Sequence, residues 1–253
     1  MTVETKKECC ILVVEGDGES RNALTAQLRS LGHAVQSASA REDAPARVDF
    51  DLMISDLEDA SAADGQIIRA FKLSVTSEEV RTATSALHEI VETTLRFRLR
   101  CVDSAPKPFH EMIDIELPSD ISLMNTVLEY LLDRVDKIGL VKAEQSNLFV
   151  ALDEAFVNAI KHGSRNDPTK LVRITAELSP REAIFTVEDE GDGFDVREIP
   201  DPCDPANLFK STGRGVLLIY NIMDEVEYSE RGTRLRMVKR PEVKSEPPAI
   251  AGG

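Results

Sequence analysis

The chain is poor in aromatic residues: it has no tryptophan and three tyrosines among 253 residues. Stacking platforms for nucleic-acid bases are therefore not expected. Positive charge is also scarce, with 30 Lys and Arg against 45 Asp and Glu and a net charge of -15. Non-specific nucleic-acid binding depends on Lys and Arg neutralising phosphates, so the balance argues against it, and equally against an anionic membrane surface. No apolar run approaches the length of a membrane span, and the opening Met1-Thr-Val-Glu-Thr-Lys-Lys-Glu8 has no signal-peptide core. Four cysteines, Cys9, Cys10, Cys101 and Cys203, show neither disulfide nor zinc spacing. A cytoplasmic location is expected, with neither nucleic acid nor membrane as a partner. There is no internal repeat. The length suggests two domains, and the 42% of hydrophobic residues suffices for two modest cores. Residues 241–253, rich in Pro and Gly without an apolar period, read as a disordered tail.

The most informative stretch is Asp153-Glu-Ala-Phe-Val-Asn-Ala-Ile-Lys-His-Gly163. Glu154, Asn158 and His162 are four apart and share one face of a helix. Phe149, Leu152, Phe156, Ala159 and Ile160 fall on the other side as a buried stripe. An Asn amide oxygen suits Mg²⁺, which prefers hard oxygen ligands. A Glu beside such an ion can take a proton or orient water. Alone, the pattern fits an amphipathic surface helix equally well.

It is followed by Phe185-Thr-Val-Glu-Asp-Glu-Gly-Asp-Gly-Phe194, which reads as a strand from Ala183 to Val187 running into an acidic, Gly-rich turn. Asp189 places a carboxylate at the strand end, where it could accept a hydrogen bond from an exocyclic amine. Gly191 and Gly193 allow close backbone approach to a ligand. Ser211-Thr-Gly-Arg-Gly-Val-Leu-Leu-Ile219 then reads as a Gly-rich turn opening an apolar helix, the kind of N-terminus that binds phosphate. Gly232-Thr233 lies between Tyr228 and Leu235 in what reads as a closing hairpin.

In this order and at these separations, the motifs from about Ile113 to Arg240 resemble the GHKL ATPase superfamily. Within it they resemble the small anti-sigma-factor serine/threonine kinases of the RsbW and SpoIIAB type. The opening Ile115-Glu-Leu-Pro-Ser-Asp-Ile-Ser-Leu123 and a helix to about Ile138 match as well. The resemblance implies ATP and Mg²⁺ as cofactors, with Asn158 as the Mg²⁺ ligand and Glu154 activating the attacking hydroxyl. It implies that Asp189 binds adenine, that Gly191 and Gly193 form the turn beneath the base, and that Gly213 and Gly215 wrap the phosphates. Thr233 would stand near the adenine, Arg214 would face phosphate or a partner, and His162 follows the family pattern. The stretch from Gly193 to Gly213, with Pro200, Pro202 and Pro205, would be a short lid.

In the N-terminal half, Cys10-Ile-Leu-Val-Val14 ends in Glu15-Gly16-Asp17, Arg21 to Leu31 reads as a helix, and Asp51-Leu-Met-Ile-Ser-Asp56-Leu57 is a second apolar run ending in an aspartate. Alternating apolar runs and helices suggest a parallel sheet, with Glu15, Asp17 and Asp56 gathered at its C-terminal edge as a Mg²⁺ site. The arrangement resembles the receiver domain of bacterial response regulators. The resemblance implies Asp56 as phosphoacceptor, Asp64-Gly65 as the following turn, Thr84 or Ser85 as the hydroxyl after a fourth strand near Val80 to Ser85, and Lys107 in the Lys-Pro pair ending the fifth. The sequence departs from the receiver pattern at Gly16, which stands where a second acidic residue is usual, and in the absence of a final helix after Phe109. A helix over about Glu78 to Arg98 carries His88-Glu89, a pair that resembles a histidine-kinase phosphoacceptor, although one helix does not make the two-helix hairpin that motif needs.

The fold expected is an α/β receiver-like doubly wound parallel sheet over residues 8–110, followed by an α+β GHKL (Bergerat) ATP-binding sandwich over 111–240. The activity implied is that of a receiver-regulated serine/threonine kinase acting on a STAS-like anti-anti-sigma protein, with a sigma factor as a further partner and a homodimer as the assembly. A non-catalytic, nucleotide-dependent sequestering switch and an atypical histidine kinase are the alternatives.

Overall fold

The computed structural model describes residues 7–40, 43, 50–57, 68–103, 110–141, 146–193, 214–229 and 231–241. They form one nine-stranded sheet in the order β2-β1-β3-β4-β5-β6-β7-β9-β8. The strands are β1 (Cys10–Val14), β2 (Ala34–Ala38), β3 (Leu52–Leu57), β4 (Ile68–Val75), β5 (His110–Pro118), β6 (Leu171–Leu178), β7 (Ala183–Asp189), β8 (Glu225–Tyr228) and β9 (Arg234–Lys239). The helices are α1 (Gly18–Ser30), α2 (Glu78–Arg81), α3 (Thr84–Asp103), α4 (Ile121–Ile138), α5 (Leu148–Val157) and α6 (Arg214–Ile222).

The first strands follow the expectation: β1 pairs in parallel with both β2 and β3. The expected parallel sheet then fails. β4 runs antiparallel to β3, with Asp56 opposite Phe71 and Leu52 opposite Val75. It is also parallel to β5, with Phe71 opposite Ile113. The strand expected at Val80 to Ser85 is instead α2 and the start of α3. The acidic pair Glu78 and Glu79 in the first turn of α2 complements the helix dipole. Val80, Ala86, Leu87, Ile90 and Val91 then recur at helical spacing and are buried.

Because β4 pairs with β5, the two halves share one sheet. They also share one apolar core, which runs from Ile11, Leu24 and Leu28 through Leu73 and Ile90 to Leu131, Phe156, Phe185 and Met237. Two separate cores, as composition suggested, are not what forms. Pairing β4 alongside β5 also gives the polar backbone edge of β5 a partner.

α4 shows how the sequence sets an element here. Asp120 caps its start by accepting from the Ser122 amide, and Gly139 ends it in the left-handed conformation with φ 77°. Between them Leu123, Met124, Val127, Leu128, Leu131 and Val135 form the buried stripe. Arg134 on that stripe is fully buried and is neutralised by Glu111 of β5, with Nη2 2.6 Å and Nε 3.0 Å from one carboxylate oxygen. This buried ion pair ties α4 to the strand below it.

The C-terminal half has its expected strands. β5, β6, β7 and β9 form successive antiparallel pairs, and β8 and β9 form the closing hairpin. Among the described residues no helix is long and apolar enough to cross a membrane. Lys107, the Asp64-Gly65 turn, the segment 194–213 and the tail from 242 lie outside the described residues.

Candidate functional site

α5 carries a buried stripe of Leu148, Ala151, Leu152, Ala155 and Phe156. Phe149, expected in that stripe, is 51% exposed. It lies one residue, about 100° of helical turn, away from Leu148. At Asn158 the helix changes to a π-helical turn, Asn158–Gly163. Its widened hydrogen bonding continues into Ser164, whose amide donates to the Ala159 carbonyl at 2.8 Å, and Asn166, whose amide donates to the Ile160 carbonyl at 2.8 Å. Such turns are rare and recur at functional sites.

Despite the change of pitch, Glu154, Asn158 and His162 all line one cavity of about 610 Å³. Asp189, Gly193, Gly215 and Thr233 line the same cavity, reached from the end of β7 and the turn after it, the first turn of α6 and the residue before β9. Val187, Tyr228 and Leu235 supply apolar and aromatic surface. The floor is assembled by close backbone approach. A Cβ on Gly163 would overlap the Asp189 carboxylate, and one on Gly191 would overlap the Gly163 carbonyl. Gly193 has φ 76° and lies against the Arg231 carbonyl, where any other residue would be both strained and obstructed. A Cβ on Gly215 would meet the Glu154 carboxylate, so α6 begins directly on that side chain.

Asp189 accepts from the Gly191 amide at 2.8 Å, and its own amide donates to the Thr233 carbonyl at 3.0 Å. Burial pushes its carboxyl above the usual range, against the pull of the Gly191 amide. Burial likewise raises the Tyr228 phenol. The Asn158 side chain has a buried amide nitrogen without a hydrogen-bond partner. An unsatisfied amide NH2 at a cavity wall fits a ligand oxygen that accepts from it, which leaves Oδ1 as the atom that could ligate a cation. Gly213 lies outside the described residues, and only the backbone of Arg214, at the start of α6, is described.

The expected N-terminal site does not assemble as a metal centre. Asp17 turns to cap α1, accepting from the Ser20 amide at 2.7 Å. Glu15 and Asp56 do meet, but they face Arg98 of α3: its Nη2 is 2.9 Å from Glu15 and its Nη1 3.6 Å from Asp56. The guanidinium lies 4.8 Å from the centre of the Phe71 ring. Among the described residues no group of three or more His, Cys, Asp or Glu side chains is arranged to hold a metal ion. Thr84 begins α3 fourteen residues before Arg98, roughly 21 Å along the helix axis, so neither it nor the exposed Ser85 stands beside Asp56. His88 lies half-exposed on α3, with Nδ1 3.9 Å from Glu92.

The register separates the two clusters. Asp56 is level with Phe71, Ile113, Ala176 and Phe185 in successive strands. Asp189 is four residues further along β7, about 13 Å at 3.3 Å per residue, and four strands away, about 19 Å.

Residues 117–239 match the family of histidine kinase-like ATPase domains. The π-turn, the Asp189 strand end, α6 and the closing hairpin all fall inside that segment, which is similar to that family. Two relatives are the serine-protein kinases RsbW of Staphylococcus epidermidis and of Staphylococcus aureus strain Newman. Each is 24% identical over 137 residues, covering 51% of this chain and 86% of the relative.

Arg98, Gly163 and Tyr228 are the residues that motif reading did not assign. Gly163 was signalled by its place after His162. Arg98 had no local signal, because its partners are 83 and 42 positions away in sequence.

Burial and the neighbouring Asp56 carboxyl raise Glu15 from 4.5 to about 8, although Arg98 pulls the other way. The folded state therefore holds this proton more tightly than the unfolded chain. Its contribution to stability is complete below about pH 4.5 and is lost as pH rises through about 8. The melting temperature should fall between pH 5 and 9, and Glu15→Gln should remove part of that slope. An unchanged slope in the variant would contradict this assignment.

Proposed function

We propose that the protein binds Mg-ATP in the cavity between the π-turn, the end of β7 and α6, and transfers the γ-phosphoryl group to a Ser or Thr hydroxyl on a partner protein. The observation that carries this reading is that Glu154, Asn158, Asp189 and Thr233 all line one cavity. Asp189 accepts a hydrogen bond from the adenine amine, with Thr233 beside it. Asn158 holds the metal ion, whose charge offsets that of the phosphates. Glu154 takes the proton of the attacking hydroxyl. The backbone amides at the start of α6 face the phosphates, as helix N-termini do. Phosphoryl transfer asks little covalent chemistry of a protein, so positioning and charge carry most of the catalysis.

The likeness to serine-protein kinases supports an anti-sigma-type kinase whose substrate is a STAS-like anti-anti-sigma protein, with a sigma factor as a second partner and a homodimer as the working assembly. A cytoplasmic setting fits this reading. The N-terminal half would set the activity of the ATP-binding half through the shared sheet and core. The histidine-kinase alternative gains no support, because His88 lies on a single helix packed against α1 and α4.

Incubation with γ-labelled ATP and STAS-domain proteins should place acid-stable label on a partner. Glu154→Gln should reduce that transfer by about 10²-fold or more while sparing ATP binding. Transfer at the original rate would remove Glu154 from the mechanism. Nucleotide-dependent capture of a sigma factor with no transfer to any partner would favour the sequestering switch.

Gly163→Ala should act differently. By displacing the Asp189 carboxylate it costs a charged hydrogen bond, about 1.5–3 kcal/mol, and should weaken ATP binding roughly 10- to 100-fold. Unaltered binding in a folded variant would show that Asp189 does not hold the nucleotide.

A further inference from the structure

We propose that Arg98 is a built-in cation that occupies the carboxylate pair of Glu15 and Asp56, so that the N-terminal half holds its conformation without a divalent ion. This reading is independent of the kinase reading, since the cluster lies at another level of the sheet and four strands away.

Three observations carry it. First, the charge is supplied from within: the guanidinium reaches both carboxylates from α3, and Arg98 is 8% exposed and Glu15 2% exposed. Second, the arginine is backed by structure. Its planar group lies over Phe71, and Phe71 meets Tyr130 of α4 edge-on, with ring centres 6.1 Å apart. Moving the guanidinium out would leave two apposed acidic side chains without a counter-charge and open a gap in an aromatic contact that reaches α4. Third, the neighbouring side chains are committed elsewhere, so the charge that balances the pair comes from Arg98. The third acidic residue, Asp17, is committed to capping α1, and Arg21 from the same helix donates to the Glu15 backbone carbonyl at 2.8 Å. A Mg²⁺ ion requires oxygens close around it in near-octahedral array. Here it would find a fixed positive charge 2.9 Å from Glu15 and 3.6 Å from Asp56.

The consequence is mechanical. α3 leads toward β5, the first strand of the GHKL-like half, and packs on α4, which packs on α5. Anchoring α3 at Arg98 fixes the ends of β1 and β3 to that helix layer at all times. The carboxylate pair then serves as a permanent anchor, where a receiver would use its acidic cluster as a cation-dependent switch.

The test is Mn²⁺ titration of the nucleotide-free full chain, followed by electron paramagnetic resonance, with Asp56→Asn assigning any binding to this cluster. The wild-type protein should show no Asp56-dependent binding. Arg98→Gln should gain a site, with Mn²⁺ affinity raised about tenfold or more by loss of the competing charge, and adding Asp56→Asn should abolish the gain. Asp56-dependent binding in the wild type would overturn the proposal. So would a folded Arg98→Gln variant that gains none. Should that variant fail to fold, the comparison of wild type with Asp56→Asn decides alone: dependence on Asp56 refutes the inference, and its absence supports it.

Discussion

The contact between Gly163 and the carboxylate of Asp189 is the constraint on which the candidate site rests. It brings the end of a helix flush with the end of a strand, which is possible only because Gly163 carries no side chain. The π-turn makes the approach geometrically available, since its extra residue carries the chain outward before Ser164. Gly191 repeats the device from the other side, packing on the Gly163 carbonyl. Once these backbones meet, Asp189 is fixed by its own turn, Asn158 is left with an unsatisfied amide, and Glu154 is pinned beneath α6. An opening with polar groups aimed into it and apolar flanks at Val187 and Leu235 follows.

The second organising feature is the parallel pairing of β4 with β5. It makes one sheet and one core from two segments that look separate in sequence. Burial in such a continuous core is cooperative: Phe71 of β4 contacts Tyr130 of α4, and α4 is held to β5 by the Glu111–Arg134 pair. The N-terminal half is thereby part of the frame that positions α4 and α5.

The spacing of Glu154, Asn158 and His162 was legible because a four-residue repeat keeps side chains aligned through α5, and the π-turn distorts that repeat too late to remove any of them from the cavity. The strand ending at Asp189 and the hairpin around Gly232 were legible for similar local reasons. The π-turn itself was not, since it is a choice of backbone partner with no side-chain period. β4 was missed, although Phe71, Leu73 and Val75 alternate with the polar Lys72 and Ser74. Its direction was not readable, because alternation is the same in parallel and antiparallel strands. The Thr-rich segment after Val80 was misread for the opposite reason: the apolar period resumes only at Ala86 and is then helical. The receiver-like acidic residues were visible, whereas the arginine that answers two of them comes from a helix distant in sequence.

Hydrogen–deuterium exchange of the intact chain with and without ATP and Mg²⁺ tests the central claim directly, since amide exchange reports local opening. Nucleotide held in this cavity should slow exchange in residues 158–163, 187–193 and 231–235, and leave 10–15 and 52–57 unchanged. Protection confined to the N-terminal strands, or none in the π-turn and around Asp189, would contradict the account.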